Sequence, residues 1–154
     1  MTAVVSRTVD TSAERVYEVL ADGWSYAAWV VGASRVREVD DGWPAVGSRI
    51  HHSIGAWPVL VHDRTKVLEA EPGRMLELDV AVWFLGRGPV RFELEPLGPS
   101  SCRVTMRERM AQGVLSVPPD AWVDPFLKAR NVETLGRLAA IATGRSENAG
   151  RSEQ

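Results

Sequence analysis

The sequence is poor in cysteine and in long apolar runs, and each shortage excludes a class of protein. Cys102 is the single cysteine among 154 residues, so no intramolecular disulfide can form. No apolar run approaches the roughly 18 residues of a membrane-spanning helix, and residues 1–10 lack the basic start and apolar run of a secretory signal. We therefore expect a cytoplasmic protein without a membrane span, because the reducing cytoplasm disfavours disulfides.

An excess of one charge is also missing. The 18 Lys and Arg residues are matched by 20 Asp and Glu residues, which gives a formal net charge of −2. No segment concentrates basic side chains on a helix face or in a tail, so a nucleic-acid partner is not expected. Lys66 and Lys128 are the only lysines, and this preference for arginine is typical of GC-rich bacterial genomes.

Metal-binding patterns are absent as well. His51 and His52 are adjacent in a predicted strand, so their side chains point to opposite faces. Neither they nor His62 have a cysteine or a carboxylate at ligand spacing. We predict no metal and no cofactor. Cys102 also lies in a predicted strand, where a small core side chain is commoner than a nucleophile.

What remains is the composition of an ordinary globular domain, with 45% hydrophobic and 25% charged residues. A chain of this length forms one core. We predict a single domain over residues 1–144, followed by a flexible polar tail over residues 145–154. The expected oligomeric state is a monomer or a homodimer.

The N-terminal part predicts one strand followed by two short helices. Residues 3–10 are rich in β-branched side chains and predict the strand. Thr11 and Glu14 have the spacing of a capping box, which starts a helix, and Gly23 supplies its end. Residues 24–31 have a helical period again, so two short helices meet near Gly23.

From residue 34 onward the apolar period changes to two, and turn residues interrupt it at intervals. Gly86, Arg87 and Gly88 predict a hairpin at the mouth of a pocket rather than a phosphate loop, since the pattern of a phosphate-binding helix is missing. The predicted strands in hairpin order form an antiparallel meander. Their bounds are residues 34–40, 47–54, 57–70, 74–84, 90–97 and 102–112.

A long helix ends the pattern. Asp124 is placed as its N-cap, Pro125 as its first helical residue and Gly144 at its C-terminal end. One face carries a stripe that must pack on the sheet. The stripe contains Leu127, Asn131, Thr134, Leu135, Leu138, Ile141 and Ala142.

This order of elements predicts an α+β helix-grip fold. A curved seven-stranded antiparallel sheet wraps around the long C-terminal helix, with the two short helices after the first strand. The sheet curls because its right-handed twist accumulates, and one helix about 10 Å across cannot fill the concave side. The sequence therefore predicts an internal cavity.

Several segments also carry a resemblance to a known family. They are residues 9–17, residues 20–22 with Trp29, residues 42–44 with Gly47, residues 69–73, and Arg130 and Asn131 with Leu135 and Leu138. Over residues 3–144 the chain resembles the polyketide cyclase/dehydrase branch of the START-related superfamily, also called SRPBCC proteins, with a START/Bet v 1-like fold. The resemblance implies a cavity for a lipid, hormone, polyketide or cofactor, and in some members aldol cyclisation and aromatisation.

The walls of the expected pocket come from aromatic and apolar side chains of the sheet and the helices, because flat apolar groups suit a ring-shaped ligand. The alternative is that these side chains only fill the core. The candidate ligand-binding residues are Trp29, His52, Ile54, Trp57, Trp83, Phe92, Met106, Glu108, Leu127, Arg130, Asn131 and Thr134.

His52 and Glu108 are the candidate catalytic residues. Alternation along their strands turns both side chains inward. A hydrogen bond between them, direct or through water, would hold the imidazole in one tautomer and raise its basicity for removing a proton beside a carbonyl. The alternative is a satisfied internal hydrogen bond without catalysis.

Two polar residues of the long helix need an explanation. Asn131 lies in the middle of the apolar stripe, where an unpaired amide would cost roughly 1–3 kcal/mol, so it needs a strand side chain, a water or a ligand as partner. Arg130 lies at the margin of the stripe. It either gates the pocket, binds a carboxylate or lies on the surface.

Three functions are consistent with these observations. The first is binding of a small hydrophobic molecule, aromatic, polyketide-like or lipid, in the cavity. The second is a polyketide aromatase or cyclase in which His52 and Glu108 transfer protons while the walls fold the substrate. The third is a protein-interaction or chaperone-activating role, which needs an exposed apolar patch of about several hundred Å².

Overall fold

The computed structural model describes residues 2–56, 58–82, 86–109 and 120–151. Within these ranges one strand, two short helices, six strands and a long helix follow one another in the order that the sequence predicts. In chain order they are β1 Thr2–Val9, α1 Ala13–Ala21, a 3-10 turn Gly23–Ser25, α2 Tyr26–Trp29, β2 Ala33–Val39, β3 Arg49–Ala56, β4 Val59–Glu71, β5 Met75–Val82, β6 Gly86–Gly98, β7 Ser101–Arg109 and α3 Asp120–Arg151.

The strands of the described ranges form one seven-stranded antiparallel sheet in the order β1-β7-β6-β5-β4-β3-β2. Strands β2 to β7 follow one another as neighbours, and β1 pairs with β7 along its whole length, from Thr2 opposite Arg109 to Val9 opposite Cys102. The sheet is curved around the C-terminal helix, and the short helices follow β1. This confirms the predicted α+β helix-grip architecture.

The ladder between β4 and β5 is shorter than either strand. It starts with Lys66 opposite Asp79 and continues toward the turn that joins the two strands. Residues 59–65 of β4 pair with β3, and residues 80–82 of β5 pair with β6, but these two stretches are not paired with each other in the described sheet. The sheet therefore splits between β4 and β5 at this end.

Helix α1 begins one residue later than predicted. The N-cap is Ser12, whose Oγ accepts a hydrogen bond from the backbone N–H of Arg15 at 3.2 Å. The predicted capping box of Thr11 and Glu14 is therefore wrong, because two adjacent hydroxyl residues both qualify as caps and the extended backbone at Ser12 decides between them. Glu14 still lies in the first turn, where its charge favours the helix dipole.

The predicted hairpin is present between β5 and β6, but Gly86 to Gly88 lie in a strand of it and not in its turn. These residues form the start of β6 and pair with residues 80–82 of β5. Glycine weakens a strand but does not prevent its pairing, and Gly86 has a φ of 107°, which glycine adopts readily. Residues 83–85, between the two strands, lie outside the described residues.

Both predicted ends of the long helix are wrong. Helix α3 begins at Asp120, so Asp124 is not its N-cap and Pro125 lies inside it, where its missing N–H removes one helical hydrogen bond. The helix also continues through Gly144 to Arg151, because a glycine in a helix interior costs only about 1 kcal/mol relative to alanine. The domain end at residue 144 and the flexible tail stay predictions.

The predicted stripe of α3 is buried. Leu127, Asn131 and Ala142 are fully buried, and Thr134 and Leu138 are nearly so. The opposite face is exposed and carries the pair between Glu133 and Arg137, with Nε 3.0 Å from Oε1. Burial of the stripe against the sheet and the N-terminal helices encloses the interior in which the candidate site lies.

Candidate functional site

An apolar cavity lies between α2, α3 and strands β5 to β7. Five of the predicted ligand-binding residues line it: Trp29, Phe92, Met106, Arg130 and Thr134. The remaining wall residues are Tyr26, Val30, Leu78, Val80 and Val90. Among the side chains that the structure describes, the lining is therefore almost wholly apolar, with Arg130, Thr134 and the Tyr26 hydroxyl as its polar groups.

The volume of this cavity is about 20 Å³. That is room for one water molecule, whereas the benzene-sized cavities engineered into protein cores are about 150 Å³. The cavity bounded by the described residues is thus smaller than the pocket that the element order predicts. Bulky side chains on α2 and β6, rather than α3 alone, fill most of the space.

Aromatic rings form a buried row beside the cavity. The rings of Trp29 and Phe92 meet edge to face with centroids 5.6 Å apart, and Tyr26 meets Trp29 at 5.3 Å. The imidazole of His52 continues the row, with its centroid 5.1 Å from that of Tyr26. Edge-to-face pairs at these distances are favourable beyond their buried area, so the row gives the cavity a rigid wall.

Thr65 of β4 connects two members of this row. Its Oγ1 lies 2.8 Å from the Tyr26 hydroxyl and 2.9 Å from Nε2 of His52, and all three side chains are buried. Nδ1 of His52 is buried without a hydrogen-bond partner among the described residues. Of the two rings, the phenol is therefore tied to the sheet through both hydrogen bonding and stacking, while the imidazole keeps one unused nitrogen.

Burial shifts both titratable members of the row toward their neutral forms. It lowers the pKa of His52 from 6.5 to about 4, with the charges of Arg87 and Arg37 acting in the same direction and Asp63 opposing them. It also raises the pKa of Tyr26 to about 12, although the hydrogen bond to Thr65 acts the other way. At neutral pH the interior therefore holds a neutral imidazole and a neutral phenol.

Glu108 is fully buried on β7 and is neutralised by α3. Nη2 of Arg130 donates to both carboxylate oxygens, at 2.6 and 2.7 Å, and Nδ2 of Asn131 donates to Oε2 at 2.8 Å. The side chain of Arg130 is only 10% exposed, and it also donates to Oδ1 of Asn131 at 3.1 Å. The predicted structural partner for Asn131 is thus confirmed, and of the three alternatives for Arg130 the structure favours a bond to a carboxylate.

The predicted direct hydrogen bond between His52 and Glu108 is wrong. His52 lies on β3 and Glu108 on β7, and three strands separate them in the sheet, which is about 19 Å along a sheet with strands 4.8 Å apart. Alternation correctly turned both side chains inward but carries no information on which strands are neighbours across the interior. The predicted rise in the basicity of His52 is wrong for the same reason, because burial without a carboxylate partner lowers its pKa.

Other candidates lie away from the cavity or outside the described residues. Leu127 and Asn131 are buried in the stripe of α3 but do not line the cavity. The side chain of Ile54, and Trp57 and Trp83 as a whole, are not among the described residues.

Sequence reasoning missed Tyr26 and Thr65, and both carried a signal. Tyr26 stands three residues before Trp29, a spacing that places both on one helix face. Thr65 precedes the buried Val67 by two residues, so alternation along β4 turns it inward as well. A polar residue in an inward register that has no obvious partner is the pattern to look for.

The described residues contain neither a metal-binding cluster nor a membrane-spanning helix. No group of three or more His, Cys, Asp or Glu side chains is arranged to hold a metal ion in that part of the chain. Likewise, no described helix is long and apolar enough to cross a membrane.

The sequence matches the model of one protein family, described as polyketide cyclase / dehydrase and lipid transport, over residues 1–143. The chain belongs to this family. Its apolar cavity between sheet and C-terminal helix agrees with a role in binding hydrophobic ligands or in cyclase chemistry. No curated protein matches the sequence closely enough to count as a relative.

Solved structures of low sequence identity share the fold. The Zhui aromatase/cyclase from Streptomyces sp. R1128 is 17% identical with a TM-score of 0.75, over 97% of this chain and 98% of that one. A START superfamily protein from Mycobacterium smegmatis is 22% identical with a TM-score of 0.66, over 96% and 98% of the two chains. At these identities the likeness shows the architecture and not the activity.

Proposed function

We propose that the protein binds a small hydrophobic molecule with an aromatic or polyketide-like ring system between the sheet and α3. The observation that carries this proposal is the cavity wall itself, in which the rings of Trp29, Phe92 and Tyr26 face apolar side chains of β5 and β6. Rigid aromatic walls bury flat ligands at little entropic cost. A polar group on the ligand would meet Arg130 or Thr134.

Ligand binding requires the cavity to expand. A volume of about 20 Å³ cannot hold a ring, so the described structure corresponds to a closed state. Met106 is the most adaptable part of the wall, because an unbranched thioether changes rotamer readily. Displacement of Met106, together with a small shift of the N-terminal half of α3, creates the space without breaking the core around α1.

Arg130 gives the cavity a charged side chain that can hold a polar group of a ligand. A mere packing defect in an apolar core would have no such group. The guanidinium of Arg130 is held by Glu108 through one nitrogen, Nη2, so Nη1 retains its donors for a hydroxyl or carbonyl of the ligand. Because the neighbouring carboxylate neutralises the charge, the anchor favours a neutral polar group over a second anion. A phenol or ketone on an otherwise apolar ring system fits this description.

Native mass spectrometry of protein purified from its own host tests the proposal. We expect a co-purifying small molecule in the wild type and its loss in Val80→Phe, which fills the cavity from β5. Val67→Phe is the matched control, since Val67 is also buried, on the neighbouring strand, but does not line the cavity. Circular dichroism establishes that both variants fold, and Val80→Leu with Val67→Leu replaces them if they do not.

A second candidate function is cyclisation of a polyketide-like substrate in the same cavity. The Nη1 donors of Arg130 in an apolar wall favour it, because hydrogen bonds to a substrate carbonyl oxygen strengthen as that oxygen gains enolate character. A histidine with a pKa of about 4 is a weak base at neutral pH, so His52 acts in this scheme as a positioning residue for Tyr26. Turnover of a poly-β-ketone thioester would support it, with product lost in Arg130→Met; unchanged turnover in that variant would overturn it.

The remaining expectations stay predictions. A cytoplasmic location in a bacterium, a monomer or homodimer, and the lack of a nucleic-acid partner are part of the proposed role. A chaperone-activating role is the third candidate. It gains support if the mass spectra of wild-type protein contain no ligand.

A further inference from the structure

A wide polar groove lies over strands β2 to β6, apart from the apolar cavity. Its volume is about 590 Å³. The groove spans the place where the ladder between β4 and β5 ends, at Lys66 and Asp79. The lining residues are Arg37, His51, His62, Asp63, Arg64, Lys66, Asp79 and Arg87.

The groove is positively charged in a chain whose net charge is negative. It contains four cations and two carboxylates, against a formal charge of −2 for the whole sequence. Both carboxylates are occupied by one cation: Nη1 of Arg87 donates to Oδ2 of Asp79 at 2.9 Å, and its Nη2 donates to Oδ1 of Asp63. Nη2 also donates to the backbone oxygen of Arg64 at 3.0 Å. Arg87 thus bridges the split and pairs with both acids, which leaves this cluster of three side chains with a net charge of −1.

The other three cations have no such partner. Within the described chain, Arg37, Arg64 and Lys66 form no salt bridge with a carboxylate. Arg91 of β6 and Arg103 and Arg107 of β7, which also face away from the cavity, differ because each is paired with a glutamate of another strand. Those pairs are Arg91–Glu77, Arg91–Glu69, Arg103–Glu95 and Arg107–Glu93.

The pairing of β3 with β4 brings these cations close to two histidines, of which His51 has its Nε2 3.4 Å from Oδ1 of Asp40. His51 lies directly opposite Arg64, which places their Cβ atoms about 5 Å apart. His62 and Lys66 stand two residues to either side of Arg64, about 7 Å away along the same face of β4. Nδ1 of His62 is bonded to Ser53 Oγ at 3.1 Å, so Nε2 is its remaining ring nitrogen.

Arg37 joins the group from the edge strand. It lies at a register shift in β2, between Val36 and Glu38, and a bulge of this kind redirects a side chain. Its Nη2 donates weakly to the backbone oxygen of His52 at 3.5 Å, so the guanidinium extends over β3. Two arginines, a lysine and two histidines therefore converge on one concave surface.

We infer that this groove is a second ligand site and that it binds a phosphate or diphosphate group. Guanidinium and ammonium groups with unused donors recognise phosphate oxygens through charge-assisted hydrogen bonds. The two carboxylates and Arg87 together leave one negative charge, which the three positive charges of Arg37, Arg64 and Lys66 outweigh. The site does not depend on the proposed function of the apolar cavity, since it lies on other side chains.

The three histidines of the chain allow a direct test by NMR. Inorganic phosphate and pyrophosphate are titrated at fixed pH and fixed ionic strength, with sodium chloride as the comparison. We expect the ring C–H signals of His51 and His62 to shift saturably, while that of His52, which is 1% exposed, stays in place. Absence of a saturable shift, or an equal shift with chloride, would overturn the inference.

Two variants sharpen the test. Arg64→Gln combined with Lys66→Gln removes two exposed cations, and we expect phosphate affinity to fall about tenfold or more. Arg35→Gln is the matched control, because Arg35 is an exposed arginine of β2 that does not line the groove, and its affinity should equal that of the wild type. Wild-type affinity in the double variant would contradict the assignment.

Discussion

The two faces of the sheet use the same polar chemistry in different surroundings. On the inner face, Glu108 and Arg130 pair with 0% and 10% of their side chains exposed. On the outer face, Glu93 and Arg107 pair with 40% and 49% exposed. Water screens the outer pair and solvates either partner that is left alone, whereas neither applies inside. The distance between the charged atoms alone therefore does not show which of the two pairs stabilises the protein more.

Hydroxyl groups also lie in different surroundings on the inner and outer faces of the sheet. Thr65 bridges Tyr26 and His52 inside the protein, while Thr105 meets Ser6 across the outer face at 3.0 Å. All three hydrogen bonds have ordinary lengths, and the Thr65–His52 and Thr105–Ser6 bonds join neighbouring strands. The buried hydroxyl of Thr65 holds Tyr26 and His52 in the aromatic row, whereas water competes for the exposed hydroxyls of Thr105 and Ser6.

The largest effect is expected from Arg130→Met. The variant leaves the Glu108 carboxylate buried with only Asn131 to donate to it, so the free energy of unfolding should fall by about 3–5 kcal/mol in urea denaturation. Glu108→Leu combined with Arg130→Met should cost less than the single change, because no charge then remains inside. A loss below about 1 kcal/mol in the single variant would mean that the pair behaves as a surface pair.

The second effect is a pH dependence carried by His52. Its pKa is about 4 in the folded protein and 6.5 in the unfolded chain, so the unfolded chain takes up the proton first as pH falls. Stability contributed by the neutral ring is complete above pH 6.5 and is lost toward pH 4, by about 3 kcal/mol at most. His52→Gln should remove this share of the acid destabilisation, whereas His51→Gln should retain it.

A smaller loss is expected from Thr65→Val, which keeps the shape but removes the shared hydroxyl. The Tyr26 hydroxyl and Nε2 of His52 would both lose a partner, at a cost of about 2 kcal/mol in urea denaturation. Thr105→Val is the matched control and should cost less than about 0.5 kcal/mol, because water replaces the lost bond. Equal losses in the two variants would remove the distinction between the faces.

The smallest effect is expected from Arg107→Ala on the outer face. The free energy of unfolding should fall by less than about 1 kcal/mol, and the difference should shrink further in 1 M salt because the pair is exposed. Urea denaturation at low and high salt measures both quantities. A loss comparable to that of Arg130→Met would contradict the role assigned to burial.

The fold follows from patterns that are local in the chain. A period of two over residues 34–112 predicts the strands, and the stripe from Leu127 to Ala142 predicts which face of α3 is buried. The ends of the helices are harder to predict, because Ser12 competes with Thr11 as a cap and Gly144 is compatible with a continuing helix. Each of these choices depends on differences near 1 kcal/mol.

The candidate site can be predicted from the sequence only in part. Strand alternation shows which face of the sheet a side chain lies on, but not which side chains it contacts. It turns His52 and Glu108 inward, yet the curvature of the sheet and the position of α3 decide that Thr65 bonds one and Arg130 the other. The size of the cavity is even harder to predict from the sequence. It depends on how the side chains of Trp29, Phe92 and Met106 pack together, and this is not encoded in any single segment.

Methyl NMR during titration with 1-naphthol shows whether the closed cavity opens to admit an aromatic ligand. Saturable shifts are expected at the wall methyls of Leu78, Val80, Val90 and Met106. The exposed methyls of Val46 and Val132 should stay in place. Shifts confined to those exposed methyls, or no saturable shift at the wall, would contradict the opening of the cavity.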